Sequence, residues 1–394
     1  MLKPQSWGLT ILLGALAGVT ALAVDMSLPT LPTITEAFAT SADSVQLTLS
    51  LFLLGYAGGQ LFCGPLSDRI GRRKVLIGGL AVYAVAGYAC AASTSIHMLV
   101  LARLVQGLGA CVGPVLGRAV VRDHLTGHRA SQTLSYITLV MSVAPLAAPV
   151  LGGFFLNHFG WWAIFVFLGV FGTLLLIATA LLFPETLRTP DREALRLARI
   201  VANARAFFGN RHCVGYSLVN GFVFAGMFAF ISGSPFVLIE VYGVPAGQFG
   251  FYFAMGAVGL IIGAALNSRL VHRIGGERVM RGGFGLVLAA SAMLIAIGWT
   301  RWGGAFAIVV PMLLYVMALG LILPNATAAA MEPLPHMAGM TASFMGAIQM
   351  GAGSLSGYVV AALYDGTPRP MAGLLAAMGM CAVLSYLLLV RRRT

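Results

Sequence analysis

The feature that most constrains this chain is the recurrence, from one end to the other, of apolar stretches about as long as a bilayer-crossing helix. Only 9% of the 394 residues are charged and 59% are hydrophobic, which places the chain among polytopic, all-α membrane proteins. A soluble reading would require helices buried on every side and almost no polar surface. Twelve spans are predicted, at roughly 7–31, 45–65, 75–93, 96–120, 131–156, 162–183, 212–236, 247–270, 280–299, 303–330, 338–363 and 371–390. Lys3 before the first apolar run also fits a signal peptide. That run outlasts a signal h-region, holds Asp25 and Pro29 and leads directly into further spans, so it reads as the first transmembrane helix.

Charge placement predicts the orientation. Lys3, the group Arg69, Arg72, Arg73 and Lys74, then Arg118, Arg122 and Arg129, the run from Arg188 to Arg211, the group Arg269, Arg273, Arg278 and Arg281, and finally Arg391, Arg392 and Arg393 fall on alternate connections. The opposite connections carry Glu36, Asp43, Glu240 and Asp365 against Arg301 and Arg369. The positive-inside rule makes the basic side cytoplasmic and puts both termini there. The net charge of +12 is then a signal for topology and anionic lipids, and it predicts no nucleic-acid partner because no soluble face gathers the bases. Cys63, Cys90, Cys111, Cys213 and Cys381 are isolated and lack ligand spacing, so neither a disulfide framework nor a metal site is expected, and no cofactor is implied.

Length and loops predict two six-span halves, 1–183 and 212–394, joined by 184–211. Within that connection Asp191 to Phe208 mixes arginines with Leu, Ile and Phe at nearly helical spacing. This predicts an amphipathic helix on the inner membrane face, with a flexible linker as the alternative. GPLSDRIGRRK, Gly64 to Lys74, follows the second span, and SRLVHRIGGER, Ser268 to Arg278, follows the eighth. Arg273, Ile274 and Gly275 repeat Arg69, Ile70 and Gly71, whereas His272 stands where Asp68 does. Paired halves around a central path are a common transporter plan, and both being present in one chain suits a monomer.

Gly64, Asp68, Arg69, Gly71, Arg72 and Arg73 resemble the loop signature of the major facilitator superfamily, and Arg103, Gln106 and Gly107 resemble its fourth-helix motif. APLAAPVLGG, with Pro145, Pro149, Gly152 and Gly153, resembles the antiporter motif of the drug/proton exchanging branches, with Ala144 where glycine is usual. DMSLPTLP from Asp25, QLTLSLFLLGYAGGQLFCGPLSDRIGRR through Arg73, and GRAVVRD from Gly117 to Asp123 are similar to the Bcr/CflA group of bacterial drug exporters, in which tyrosine is common at the position of Ser27. The resemblance implies the twelve-helix major facilitator fold in a bacterial inner membrane and proton-driven export of small lipophilic compounds, of the chloramphenicol or bicyclomycin kind.

Site expectations follow. Asp25 is a carboxylate within a span, about 8 Å from its outer end, and Arg103 lies roughly 10 Å into the fourth span by the helical rise. The family architecture would let them share one cavity and couple proton movement. A poorly solvated carboxylate keeps its proton and a nearby arginine favours the ionised form. A static polar pair, or an Asp25 that caps a helix broken near Pro29, is the alternative. Asp68 at the inner end of the second span could pair with an arginine or face a helix terminus and so act as a conformational latch, with inner-face anchoring as the alternative. Pro145, Pro149, Gly152 and Gly153 suit a bend or seal between the halves, or a tight helix crossing. Tyr56, Gln60, Gln106, Tyr136, Asn220, Phe224, Tyr315, Asn325 and Gln349 are candidate cavity residues for a small amphiphilic substrate, each equally explicable by packing, and Phe-rich helix seven also suits a lipid-facing surface. The second-half spans hold no carboxylate, which favours neutral or weakly charged cargo over multivalent cations. A metabolite transporter working in either direction is the main alternative. An enzyme is disfavoured by the absence of a metal triad, nucleotide loop or placed nucleophile, and a receptor or scaffold should survive loss of Asp25.

Overall fold

The computed structural model describes residues 7–124, 127–187, 189–191, 193–300 and 302–391, and the molecule it describes is helical with no strand. Lys3, Arg188, Arg192, Arg301, Arg392 and Arg393 lie outside the described residues, as do the side chains of Arg122 and Arg129. With no water in a bilayer core, only backbone that bonds within its own segment can cross it, and long apolar sequences solve this as helices. Eleven segments among the described residues are long and apolar enough to cross a membrane.

The first crossing segment is α1, Trp7–Asp25, a 3₁₀ turn at Leu28–Thr30, and α2, Leu31–Ala37. It therefore extends beyond the predicted end at 31, and it is broken in the middle. The next are α3, Ala42–Ile70, and α4, Arg72–Ala91. The fourth predicted span is two helices, α5, Ile96–Ala110, and α6, Val112–His124, parted at Cys111. Then come α7, Gly127–Phe159, and α8, Trp162–Leu182. The connection contains α9, Leu197–Gly209, where the amphipathic pattern predicts a helix. The remaining elements are α10, Arg211–Pro235, with a π-helical extension Phe236–Val241; α11, Ala246–Ile274; α12, Gly276–Thr300; α13, Gly304–Met331; α14, Ala338–Ala362; and α15, Arg369–Ser385, with a π-helical extension Tyr386–Val390.

Helix α14 is as long as the crossing segments but more polar. Its hydroxyls are spent on neighbours: Ser354 donates to the Ser50 carbonyl on α3 at 2.7 Å and Ser356 to the Ala225 carbonyl on α10 at 2.6 Å. Small polar side chains that bond across helices hold membrane helices together where water supplies no hydrophobic drive.

Close helix contact comes from glycine. Helices α3 and α5 cross at Gly55 and Gly107, where an added Cβ would lie 2.1 Å from the Leu104 carbonyl oxygen and 2.0 Å from that of Phe52. Within the first part of the chain α1 packs on α7, α3 on α5, and α4 on α8. In the later part α10 packs on α14 and α15, and α13 on α11 and α12. The most extensive contacts between the parts are α3 with α14 and α7 with α11, and the broken turn Leu28–Thr30 also touches α10 and α11. At the end of the molecule that carries Asp43 and Glu240, Gln46 of α3 donates from Nε2 to the Ser232 carbonyl of α10 at 2.5 Å, and the Ser232 hydroxyl donates back to Gln46 Oε1. That pair ties the two parts of the chain together at this end.

Candidate transport path

Asp25 owes its position to the break in the first crossing segment. Proline at 29 has no N–H to offer the Asp25 carbonyl one turn earlier, so α1 stops there. The Ser27 hydroxyl bonds the Val24 carbonyl at 2.7 Å and the Thr30 hydroxyl bonds the Ser27 carbonyl at 2.6 Å, which satisfies part of the interrupted backbone. Gly152 of α7 presses on the broken turn, since a Cβ there would sit 2.1 Å from the Met26 carbonyl oxygen. Because the segment runs on to Ala37, Asp25 lies roughly 18 Å from its end by the helical rise, farther in than the predicted 8 Å.

Asp25 is 6% exposed and lines a cavity of about 210 Å³ between α1, α3, α7, α10 and α11. Phe224, Phe228, Phe230 and Phe253 supply aromatic surface, with Met141, Met227 and Met350 beside them. Thr20, Asp25 and Tyr56 are the polar side chains among the described lining residues. No cationic group among the described residues pairs with the Asp25 carboxylate. Tyr56 and Phe224 are the members of the predicted cavity set that line this space. The lining phenylalanines place α10 in the interior, which excludes the lipid-facing reading of that helix.

Arg103 departs from expectation. It is fully buried, but on the far side of α3 from this cavity and not in its lining. Its guanidinium lies 4.4 Å from the Phe52 ring centre and 5.7 Å from that of Phe165, bonds Gln106 Oε1 at 2.8 Å and bonds the Thr48 carbonyl at 3.3 Å. Equal depth does not give equal azimuth on a helix, and the α3–α5 glycine crossing turns Arg103 inward among α3, α5 and α8. Asp25 and Arg103 do not share a cavity. Gln106 accompanies Arg103.

The other predicted cavity residues are placed elsewhere. Gln60 lines a second cavity nearer the basic end and abuts Gly346 of α14. Tyr136 meets Trp7 edge to face at 5.2 Å. Asn220 bonds Thr327 across α10 and α13 at 2.9 Å. Gln349 is half-buried and lines neither cavity.

The loop between α3 and α4 is a charge network. Arg72 is 3% exposed; its guanidinium meets Asp68 at 2.6 Å and Asp123 of α6 at 3.1 Å and bonds the Ser67 hydroxyl. The backbone N–H groups of Arg72 and Arg73 donate to the Glu185 carboxylate at 2.9 and 3.3 Å, so Glu185 caps the N-terminus of α4. Arg73 donates to the Ala180 carbonyl at 2.5 Å, and the Asp191 N–H donates to the Asp68 carbonyl at 2.9 Å, tying the connection to the loop. Gly71 has φ 105°, and a Cβ there would also strike Glu185 at 2.4 Å. Gly64 is under no such pressure, its nearest neighbour being 3.9 Å away, and Arg69 is exposed. Asp123 stood in a motif without a role, and no local pattern marked Glu185.

Pro145 lines the Asp25 cavity, while Pro149 sits where α7 meets α11, with a Cβ on Gly250 falling 2.7 Å from the Pro149 carbonyl carbon. Gly153 faces Gly247 of α11, where an added Cβ would lie 3.2 Å from the Gly247 Cα. Helix α7 continues unbroken through both prolines.

The second cavity, about 320 Å³, lies between α3, α6, the start of α14 and the connection, and includes Gln60, Asp68, Arg72, Arg118, Asp191 and Arg199. Among the described residues no three His, Cys, Asp or Glu side chains cluster as metal ligands.

Comparison with known proteins agrees with this architecture. The Bicyclomycin resistance protein homolog of Haemophilus influenzae is 35% identical over 95% of this chain and 93% of its own length. An uncharacterised MFS-type transporter of Bacillus subtilis, YdgK, is 33% identical over 98% of this chain and 96% of its own. The Chloramphenicol resistance protein of Pseudomonas aeruginosa is 30% identical over 89% and 83%. In fold the chain is similar to the xylose transporter XylE of E. coli in a partially occluded inward open conformation, with a TM-score of 0.75 at 16% identity over 98% of this chain and 97% of that one. The Major Facilitator Superfamily model matches residues 13–360. This chain therefore belongs to the Major Facilitator Superfamily, as a multi-pass membrane transporter related to bacterial drug-resistance proteins.

Proposed function

We propose that this protein exports small lipophilic compounds, of the kind its relatives' names suggest, in exchange for protons moving inward by alternating access. The observation that carries this reading is a carboxylate, Asp25, buried in a largely apolar cavity with no cation paired to it among the described residues. Such a group is costly to ionise in place and easy to ionise once water or a cargo reaches it, so its proton can report which side the cavity faces. The aromatic and thioether lining suits a lipophilic body. A polyhydroxylated metabolite would leave most of its hydroxyls unpaired there.

In this reading twelve spans form two six-helix bundles, 1–183 and 212–394, joined by 184–211, with both termini and the Arg72 network cytoplasmic. The Gln46–Ser232 pair closes the outside. The Arg72 network is the inner latch, made in one state and broken in the other, and the α7–α11 contact through Pro149, Gly153 and Gly250 seals the halves. Arg103 acts as a positioning residue that holds α3 against α5, since it does not reach the cavity.

The test is reconstitution in liposomes with an imposed pH gradient, following internal pH as chloramphenicol or bicyclomycin is added. Drug-triggered proton movement that vanishes in Asp25→Asn is expected. Silence toward both compounds from folded protein would turn the search to natural metabolites.

A further inference from the structure

Two cavities lie in line along α3 and the fourth span. On successive turns of α3, Leu53 and Tyr56 line the first and Gln60, Gly64 and Asp68 the second; on the fourth span Pro114 lines the first, and Leu116 and Arg118 the second. The charges of the second cavity are almost all balanced. Arg72 is paired with Asp68 and Asp123, and Arg199 with Asp191 at 2.5 Å. Arg118 is the exception. Its Nε donates to the Pro114 carbonyl one turn back at 3.1 Å, and among the described residues no carboxylate lies within ion-pair distance. Arg118 follows Pro114, which lines the first cavity, by one turn of the same span while itself lining the second, so it stands where the two cavities meet.

A free guanidinium fork matches the paired oxygens of a carboxylate and repels an ammonium. Asp25, at the closed end of the path, has the opposite preference. A compound with an aromatic body and an acidic group therefore fits in one orientation, ring among the phenylalanines and acid at Arg118.

We propose that Arg118 is a specificity-determining residue that reads cargo charge at the inner mouth, favouring lipophilic compounds with an acidic group and disfavouring lipophilic cations. The proposal rests on the transport reading above, because it concerns the same path.

The test is equilibrium binding to the purified full-length protein in phosphatidylcholine nanodiscs, with three probes of one shape: 2-naphthoate, 2-naphthamide and 2-naphthylmethylammonium. No gradient is applied, so a failure of proton coupling leaves the result intact. Wild type is expected to bind the carboxylate roughly fivefold tighter than the ammonium, the scale of one partly solvated ion pair, with less preference in high salt. Arg118→Gln should level the series and Arg118→Glu should invert it, while Arg118→Lys keeps the order. Equal or tighter binding of the ammonium by wild type, a test that needs no variant, overturns the proposal, as does an unchanged order in folded Arg118→Glu. Repetition in phosphatidylglycerol discs separates cargo from lipid: carboxylate preference lost only there would assign Arg118 to an anionic headgroup and overturn the cargo reading.

Discussion

The loops Gly64–Lys74 and Ser268–Arg278 share one pattern and keep one backbone shape, yet the first is held by a buried charge network and the second by one exposed, longer ion pair. Gly71 and Gly275 both have positive φ, 105° and 81°, with extended ψ, a region that only glycine enters without strain. Around the first glycine three carboxylates, Asp68, Asp123 and Glu185, converge on Arg72 and the α4 terminus. In the second copy Arg72 is matched by Gly276, Arg73 by Glu277 and Asp68 by His272. There the neutral Asn325 of α13 fills the space before Gly276 and bonds Asn267 at 2.6 Å, while Glu277 bonds the Tyr386 hydroxyl at 2.5 Å and approaches Arg281 at 3.8 Å. Backbone geometry survives where the turn needs it. A buried arginine held by several carboxylates is found only where the connecting segment and the fourth span supply them, among the described residues, and the same half holds the buried Asp25.

The largest expected effect tests that asymmetry at its centre. Asp25→Asn should abolish uphill transport while leaving the fold intact, as read by accumulation in proteoliposomes; wild-type gradients in this variant would remove the first half's claim to coupling. Next, Arg72→Ala leaves Asp68 and Asp123 facing each other across a partly buried space and should cost about 2–4 kcal/mol in thermal unfolding, whereas Glu277→Gln in the second loop should cost no more than about 0.5 kcal/mol. Equal losses would erase the distinction between the loops. A finer test uses the glycines: Gly71→Ala should destabilise by about 2–3 kcal/mol because backbone strain adds to collision with Glu185, and Gly275→Ala by about 1–2 kcal/mol, because nothing lies within 4 Å of its Cβ position.

The smallest effect is one of pH. The Arg199 guanidinium and the Glu193 N–H hold the Asp191 carboxyl below its ordinary value of 3.8. A depressed carboxylate stabilises the folded arrangement above its unfolded value and loses that contribution as pH falls through the folded one. Protease cleavage of 184–211 should therefore rise slightly below about pH 4, and Arg199→Gln should blunt that rise.

Much of this was legible along the chain because membrane insertion depends on local sums. Apolar length predicted nearly every span, and the mixed pattern around Leu197–Gly209 predicted a helix in the connection. The break in the first span was announced by Pro29, and Asp25 by its rarity. Less legible was anything that required knowing which way a helix face turns. Arg103 matched Asp25 in depth, but depth is a one-dimensional quantity, and rotation about the helix axis sent its side chain to Phe52 and Gln106. Polar residues were also poor guides to a cavity lined by Phe224, Phe228, Phe230 and Met350, because an apolar ring has the same local signature facing cargo, lipid or another helix.

Sequence alone determined the membrane setting, the helices, the repeat that matches Gly275 to Gly71, and Asp25 as a carboxylate set within an apolar span, since each follows from the solvation or order of residues close in the chain. Tertiary structure decided that Glu185 caps α4, that Asp123 meets Arg72, that Arg118 has no carboxylate at ion-pair distance among the described residues, and that Arg103 does not line the Asp25 cavity. Those facts depend on side chains brought together from distant segments, and within a bilayer that assembly is set by close packing and the pairing of polar groups, which no local pattern records.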